Sequence, residues 1–243
     1  MDYNQMNRQT PPPYNPYGGA ALTRQVNSVM TKVYFRMFIG LLISAFCALG
    51  VASSPTVATA IFGNQILFWG IAIAMLVMAF VIPARAMRMN SGLLFFLFCV
   101  FSALMGIWIA PIFFVYKLGT ITYTFFISAG TFGAMSVYGY FTKSDLTKIG
   151  TYLIMALFGL IILSLVNIFL RSNSMEWIIS IVGVLIFIGL TAYDTQQVRR
   201  IAQSNLDPAV SDRLATIGAM NLYLDFINLF LMLLRIFGGN NND

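Results

Sequence analysis

The sequence predicts an all-α membrane protein, a bundle of spanning helices, and three observations carry that reading. Apolar residues make up 59% of the chain and charged residues only 9%, whereas a soluble domain carries about a quarter charged residues. The apolar residues fall in blocks close to the ~20 residues that a helix needs to cross a hydrocarbon core of about 30 Å. The lysines and arginines are scattered at the ends of those blocks.

Taken in order, residues 1–25 come first, with Pro11, Pro12, Pro13 and Pro16 among Asn, Gln and Tyr. Such a stretch buries no core and contains no apolar region of the signal-peptide kind. It reads as a disordered cytosolic tail, and residues 26–243 as one transmembrane domain. Seven apolar runs follow, at residues 37–52, 66–82, 93–116, 118–141, 149–170, 177–193 and 215–234. The third and fourth are nearly fused, broken only by Pro111 and by Lys117 with Gly119, which demands a tight turn. Asp207 and Pro208 read as an N-cap and a first-turn proline, so the last helix starts several residues before its apolar stretch.

Positive charge accumulates on the cytoplasmic side of short loops. With the N-terminus inside, Arg8, Arg24, Lys32, Arg36, Arg85, Arg88, Lys143, Lys148, Arg199, Arg200 and Arg213 face the cytoplasm, and only Lys117, Arg171 and Arg235 face out. Trp69, Trp108 and Trp177 then all lie toward the outer face, where amphipathic rings favour the interface. Small residues at four-residue spacing, Ser102 with Gly106, Ala129 with Gly133 and Gly130 with Ala134, are expected to let helices approach closely.

Several chemistries are excluded. Histidine is absent, and Cys47 and Cys99 each stand alone in an apolar block, so no zinc-ligand spacing exists. The two cysteines read as small apolar fillers. The net charge of +6 is not clustered with aromatics on a polar face, which argues against a nucleic-acid partner.

Of the eight carboxylates, Asp2, Asp145, Glu176, Asp207, Asp212 and Asp243 read as loop or tail residues. Asp194 ends the sixth apolar run and Asp225 interrupts the seventh. A mid-membrane aspartate costs roughly 2.5–3.5 kcal/mol on insertion scales, so it is expected to face a bundle interior or a watery cavity. Asn221, Asp225, Asn228 and Arg235 fall on one stripe of the seventh helix. That stripe fits either a polar pathway or interhelical hydrogen bonding. Asp194, near the cytoplasmic border, fits either a solvated end or a functional partner for Asp225. If the two meet, they repel when both are ionised and titrate as a coupled unit, a pH sensor built without histidine. Ionised, they present hard oxygen ligands suited to calcium, completed by water, carbonyls and amides such as those of Asn221 or Asn228. A shared proton favours a closed bundle, ionisation an open one.

Three segments carry a resemblance. FFISAGTFGAMSVYGYFTKSDL at 125–146, FIGLTAYDTQ at 187–196 and YLDFINLFLMLLRIFG at 223–238 closely resemble the bacterial branch of the Bax inhibitor family, and the likeness covers nearly everything after the tail. It implies six helices around a central seventh, residence in the bacterial inner membrane, and a calcium leak controlled by an aspartate pair falling on Asp194 and Asp225, with calcium as a transient ion and no cofactor. Some family members also latch the aspartate of the sixth helix with a basic residue near the end of the second. Arg85 and Arg88 lie near that place, although an arginine there also satisfies the positive-inside pattern.

Two other functions compete. Tyr193, Asp194 and Asp225 are also similar to the arrangement of intramembrane aspartyl proteases, in which paired carboxylates activate water. Those enzymes carry Gly-x-Gly-Asp at the second aspartate, where this chain has Leu222, Tyr223, Leu224 and Asp225, so no enzyme activity is expected. The second competitor is a regulator that transports nothing and binds a membrane-protein partner, such as a protease or a stress-response factor.

Overall fold

The computed structural model describes residues 18–204 and 206–238, and these are helical throughout apart from short turns. The order is α1 (Gly18–Ala52), α2 (Pro55–Phe62), α3 (Gln65–Arg85), a 3-10 turn (Ala86–Arg88), α4 (Ser91–Ile109), α5 (Ile112–Val115), α6 (Leu118–Phe141), α7 (Thr147–Leu170), α8 (Asn173–Gln203) and α9 (Pro208–Gly238). Side chains set several boundaries by capping free backbone N–H groups. Asn64 Oδ1 accepts from the N–H groups of Ile66 and Leu67 at 3.0 and 3.2 Å, and Asn90 Oδ1 accepts from that of Leu93 at 2.6 Å. Asp207 Oδ1 accepts from the N–H of Ala209 at 2.8 Å, with Pro208 at the first helical position as the sequence suggests. Pro83, three residues before the start of the 3-10 turn, loosens the end of α3.

Six helical segments among the described residues are long and apolar enough to cross a membrane: Leu22–Ala52, Gln65–Arg88, Ser91–Val115, Thr147–Leu170, Asn173–Gln203 and Pro208–Gly238. This makes the chain a multi-pass membrane protein. α6 is 24 residues long and carries no charge, but its Thr, Ser, Gly and Tyr residues keep it out of that group. The count of seven apolar runs therefore becomes six strongly apolar helices, one weakly apolar helix, and the short α2, which no apolar run signalled.

Burial is graded across the bundle. In its most apolar window α9 is 67% buried, α8 44% and α7 only 6%. α9 packs against α1, α4, α6 and α8. The outer faces are large apolar side chains such as Ile66, 85% exposed, and Phe169, 87% exposed, a distribution that only lipid accommodates. Glycines allow the closest approaches: a Cβ on Gly106 would strike the Ser44 backbone, and one on Gly139 the Ala192 carbonyl. The Ser102 and Gly106 spacing thus marks a real contact of α4 with α1. Gly130 and Gly133 have open space around them, so neither is a point of close helix approach.

Two expectations need correction. Most of the proposed tail lies outside the described residues, but residues 18–25 belong to α1, so that boundary falls too late. Asp212 and Glu176 are helical and not in loops, and Asp194 does not end its helix. α8 continues to Gln203 because polar side chains anchor its extension to the α6–α7 connection. Gln196 accepts from the Leu146 N–H at 2.9 Å and donates to the Ser144 carbonyl at 2.8 Å. Arg199 donates to the Tyr140 carbonyl, and Arg200 donates to Thr147 Oγ1 and Asp145 Oδ1, both at 2.6 Å. Apolarity stops at Tyr193, but backbone hydrogen bonding does not.

Candidate functional site

α8 and α9 run antiparallel: Gly183 lies against Met232, and Val198 against Gly218. That register puts Asp194 about one turn from the level of Asp225, close enough for their carboxyl groups to interact. Asp225 is buried, 5% exposed, and Asp194 half-buried. Two carboxyl groups can hydrogen-bond to each other only with a proton between them, since an ionised carboxylate only accepts. Among the described residues, Oδ2 of Asp225 has no hydrogen-bond partner. At 4 Å two full charges repel by about 4 kcal/mol at an effective dielectric constant of 20. One proton shared by the pair would relieve that repulsion, and its loss would load the α8–α9 contact with like charge.

Three more buried oxygens have no partner among the described residues: Thr124 Oγ1 and Ser136 Oγ on α6, and Thr195 Oγ1 on α8. Each such group costs about 1–3 kcal/mol. α6, α8 and α9 pack against one another, so the unsatisfied polar atoms gather on the three helices that surround the pair. Sequence reading missed this seam, although Thr124, Ser128, Phe132 and Ser136 recur every fourth residue along the buried side of α6.

The remaining site residues divide. Asn228 donates to the Leu224 carbonyl at 2.9 Å and lines a groove between α7, α8 and α9. Asn221 is half-buried, one turn before Asp225. Arg85 and Arg88 are exposed and make no ion pair among the described residues, so no latch onto Asp194 is formed. The nearby turn is held to α9 instead by Arg213, which donates to the Met87 carbonyl at 2.6 Å.

A different arginine ties the bundle at this end. Arg36 of α1 donates to both oxygens of Asp212 at 2.8 and 2.9 Å and to Thr216 Oγ1 at 2.7 Å, while its guanidinium lies 5.4 Å from the Phe95 ring of α4. Further along, the Tyr223 hydroxyl meets Ser44 Oγ at 2.6 Å, and Ser44 donates to the Ser102 carbonyl at 2.7 Å. Tyr223 is fully buried, edge-on to Phe98 and Phe101. α9 is thus fastened to α1 and α4 on one side and meets α8 through the aspartates on another.

The family model described as inhibitor of apoptosis-promoting Bax1 (Bax1-I) matches residues 26–242. The chain belongs to the Bax1-I family. Relatives support this along nearly their whole length. Inner membrane protein YbhL of Escherichia coli K12 is 43% identical over 215 residues, 88% of this chain and 92% of that protein. A protein of Borreliella burgdorferi is 44% identical over 218 residues, 89% of this chain and 94% of its own. One from Deinococcus radiodurans is 37% identical over 219 residues, 90% and 93% respectively.

Proposed function

We propose that this Bax1-I protein is a cation leak of the bacterial inner membrane, gated by the proton that Asp194 and Asp225 share, with calcium as its cargo. The pairing of the two carboxyl groups on adjoining spanning helices is the observation that carries the reading. α6 serves as a seventh crossing, its polar residues tolerated because they face α8 and α9. α9 is then the central helix, and the N-terminus is cytoplasmic, as the eleven cytoplasmic and three outer basic residues of the sequence support. Residence in the inner membrane accords with the name of the YbhL relative.

With the proton in place, α8 and α9 are held together and the path is closed. When it leaves, charge repulsion separates the carboxylates and gives a passing cation two oxygen ligands in place of the proton. Among the described residues, no third carboxylate or cysteine joins them as a metal cluster. Calcium needs six to eight oxygens, so water and the amides of Asn221 and Asn228 complete its shell in transit. No protease role is proposed for the pair, since the sequence around Asp225 lacks the Gly-x-Gly-Asp pattern of those enzymes.

The test is calcium influx into dye-loaded liposomes containing the purified protein, from about pH 6 to about pH 8. Influx that rises with pH supports the leak. No influx at any pH leaves the partner-binding regulator.

A further inference from the structure

At the end of the bundle where α7 finishes, a polar cavity of about 400 Å³ lies between α7, α8 and α9, and Arg171, Asn173, Glu176 and Arg235 contribute to its wall. It shares Ser164 and Ile168 with a second, apolar groove of about 280 Å³ that reaches to Leu157, Phe187 and Met232. The two form one amphipathic channel on the lipid-facing side. From Arg171 to Leu157 it follows α7 for about 21 Å, at 1.5 Å per residue, more than half of a hydrocarbon core of about 30 Å.

Neither Arg171 nor Arg235 makes an ion pair or a side-chain hydrogen bond among the described residues, where the salt bridges join Lys32, Arg36 and Arg200 to Asp212 and Asp145. Arg171 also holds a left-handed backbone, φ 49°, at the C-cap of α7. Glycine adopts that conformation most easily and any other residue is strained there. Arg171 nevertheless stands there, lining the mouth of the cavity. With Glu176 the mouth carries a net charge of +1, and its polar groups both donate and accept.

We infer that this channel binds a phospholipid with an anionic, hydroxylated headgroup: the phosphodiester on Arg171 and Arg235, the headgroup hydroxyls on Glu176 and Asn173, and one acyl chain along the groove to Phe187. Arginine pairs suit phosphate geometry, and the groove supplies the apolar contact that a free anion has no use for.

The test is native mass spectrometry of the full chain in detergent, titrated with phosphatidylglycerol, phosphatidylcholine or glycerol phosphate. Phosphatidylglycerol is expected to bind, and each of Arg171→Gln and Arg235→Gln to weaken it about tenfold, the loss of one charge-assisted contact. Ile168→Trp, which fills the groove and leaves the arginines, is expected to weaken phosphatidylglycerol alike. Equal binding of phosphatidylcholine, equal binding of glycerol phosphate, or indifference to all three substitutions overturns the proposal. Among the described residues neither arginine has an ion pair or side-chain hydrogen bond to lose, although the Arg235 charge lies near Tyr116, so unchanged elution and thermal midpoint identify folded variants. The readout is binding and not flux, so its failure leaves the leak untouched.

Discussion

Asp194 of α8 and Asp225 of α9 meet through their carboxyl groups, and the second is 5% exposed with one oxygen left without a partner among the described residues. A site so arranged has two states, one in which a proton between the carboxyl groups leaves a single negative charge and one in which both are ionised and repel.

Replacing one partner by an amide should lock the first state. Asn at position 225 supplies its own N–H to Asp194, so Asp225→Asn should fold, with a thermal midpoint within about 2–4 °C of the wild type, a cost under ~1 kcal/mol. A loss of folded protein on size-exclusion chromatography contradicts the shared hydrogen bond.

The Arg36–Asp212 clamp should matter to stability. Asp212→Ala leaves a mostly buried guanidinium, 16% exposed, without its carboxylate, and should cost about 1–3 kcal/mol. Equilibrium unfolding of the purified protein measures it. Lys32→Ala, whose ammonium is 54% exposed at 3.4 Å from the same carboxylate, should change little.

Glycine contacts separate seams from open faces. Gly139→Ala drives a methyl into the Ala192 carbonyl and should destabilise by about 1–3 kcal/mol. Gly130→Ala meets open space and should not destabilise the protein. Thermal unfolding of the two variants decides.

Much of this was legible in the sequence, and the misses have physical causes. Long apolar runs announce helices, and a carboxylate within one announces itself by its cost, so Asp225 stood out. Its contact with Asp194 depends on the register of α8 against α9, which no local pattern encodes. The extension of α8 past Tyr193 was hidden because tertiary anchors at Gln196, Arg199 and Arg200 replace apolarity as its support. Arg36 and Asp212 are far apart in sequence and each looked like an ordinary cytoplasmic charge. Only the family resemblance points to Arg85 and Arg88 as a latch on Asp194, and both are exposed and outside the pair.

The surface cluster at Asp145 sets a background for any pH experiment. Hydrogen bonds from Thr147, then from Arg200, hold this exposed carboxyl well below the usual carboxylate range. A depressed folded value means a contribution present above the unfolded value of about 3.9 and lost only as pH falls below it. Wild type and Asp145→Asn should therefore show parallel thermal stability from about pH 5 to about pH 8. Divergence within that window contradicts the assignment.

The most direct measurement of the central claim is calcium influx into liposomes for wild type and Asp225→Asn across about pH 6 to about pH 8. The account predicts that wild-type influx climbs with pH and that Asp225→Asn shows no climb, its amide holding α8 and α9 together at every pH. Wild-type and Asp225→Asn influx that respond identically to pH would contradict gating by the Asp194–Asp225 pair.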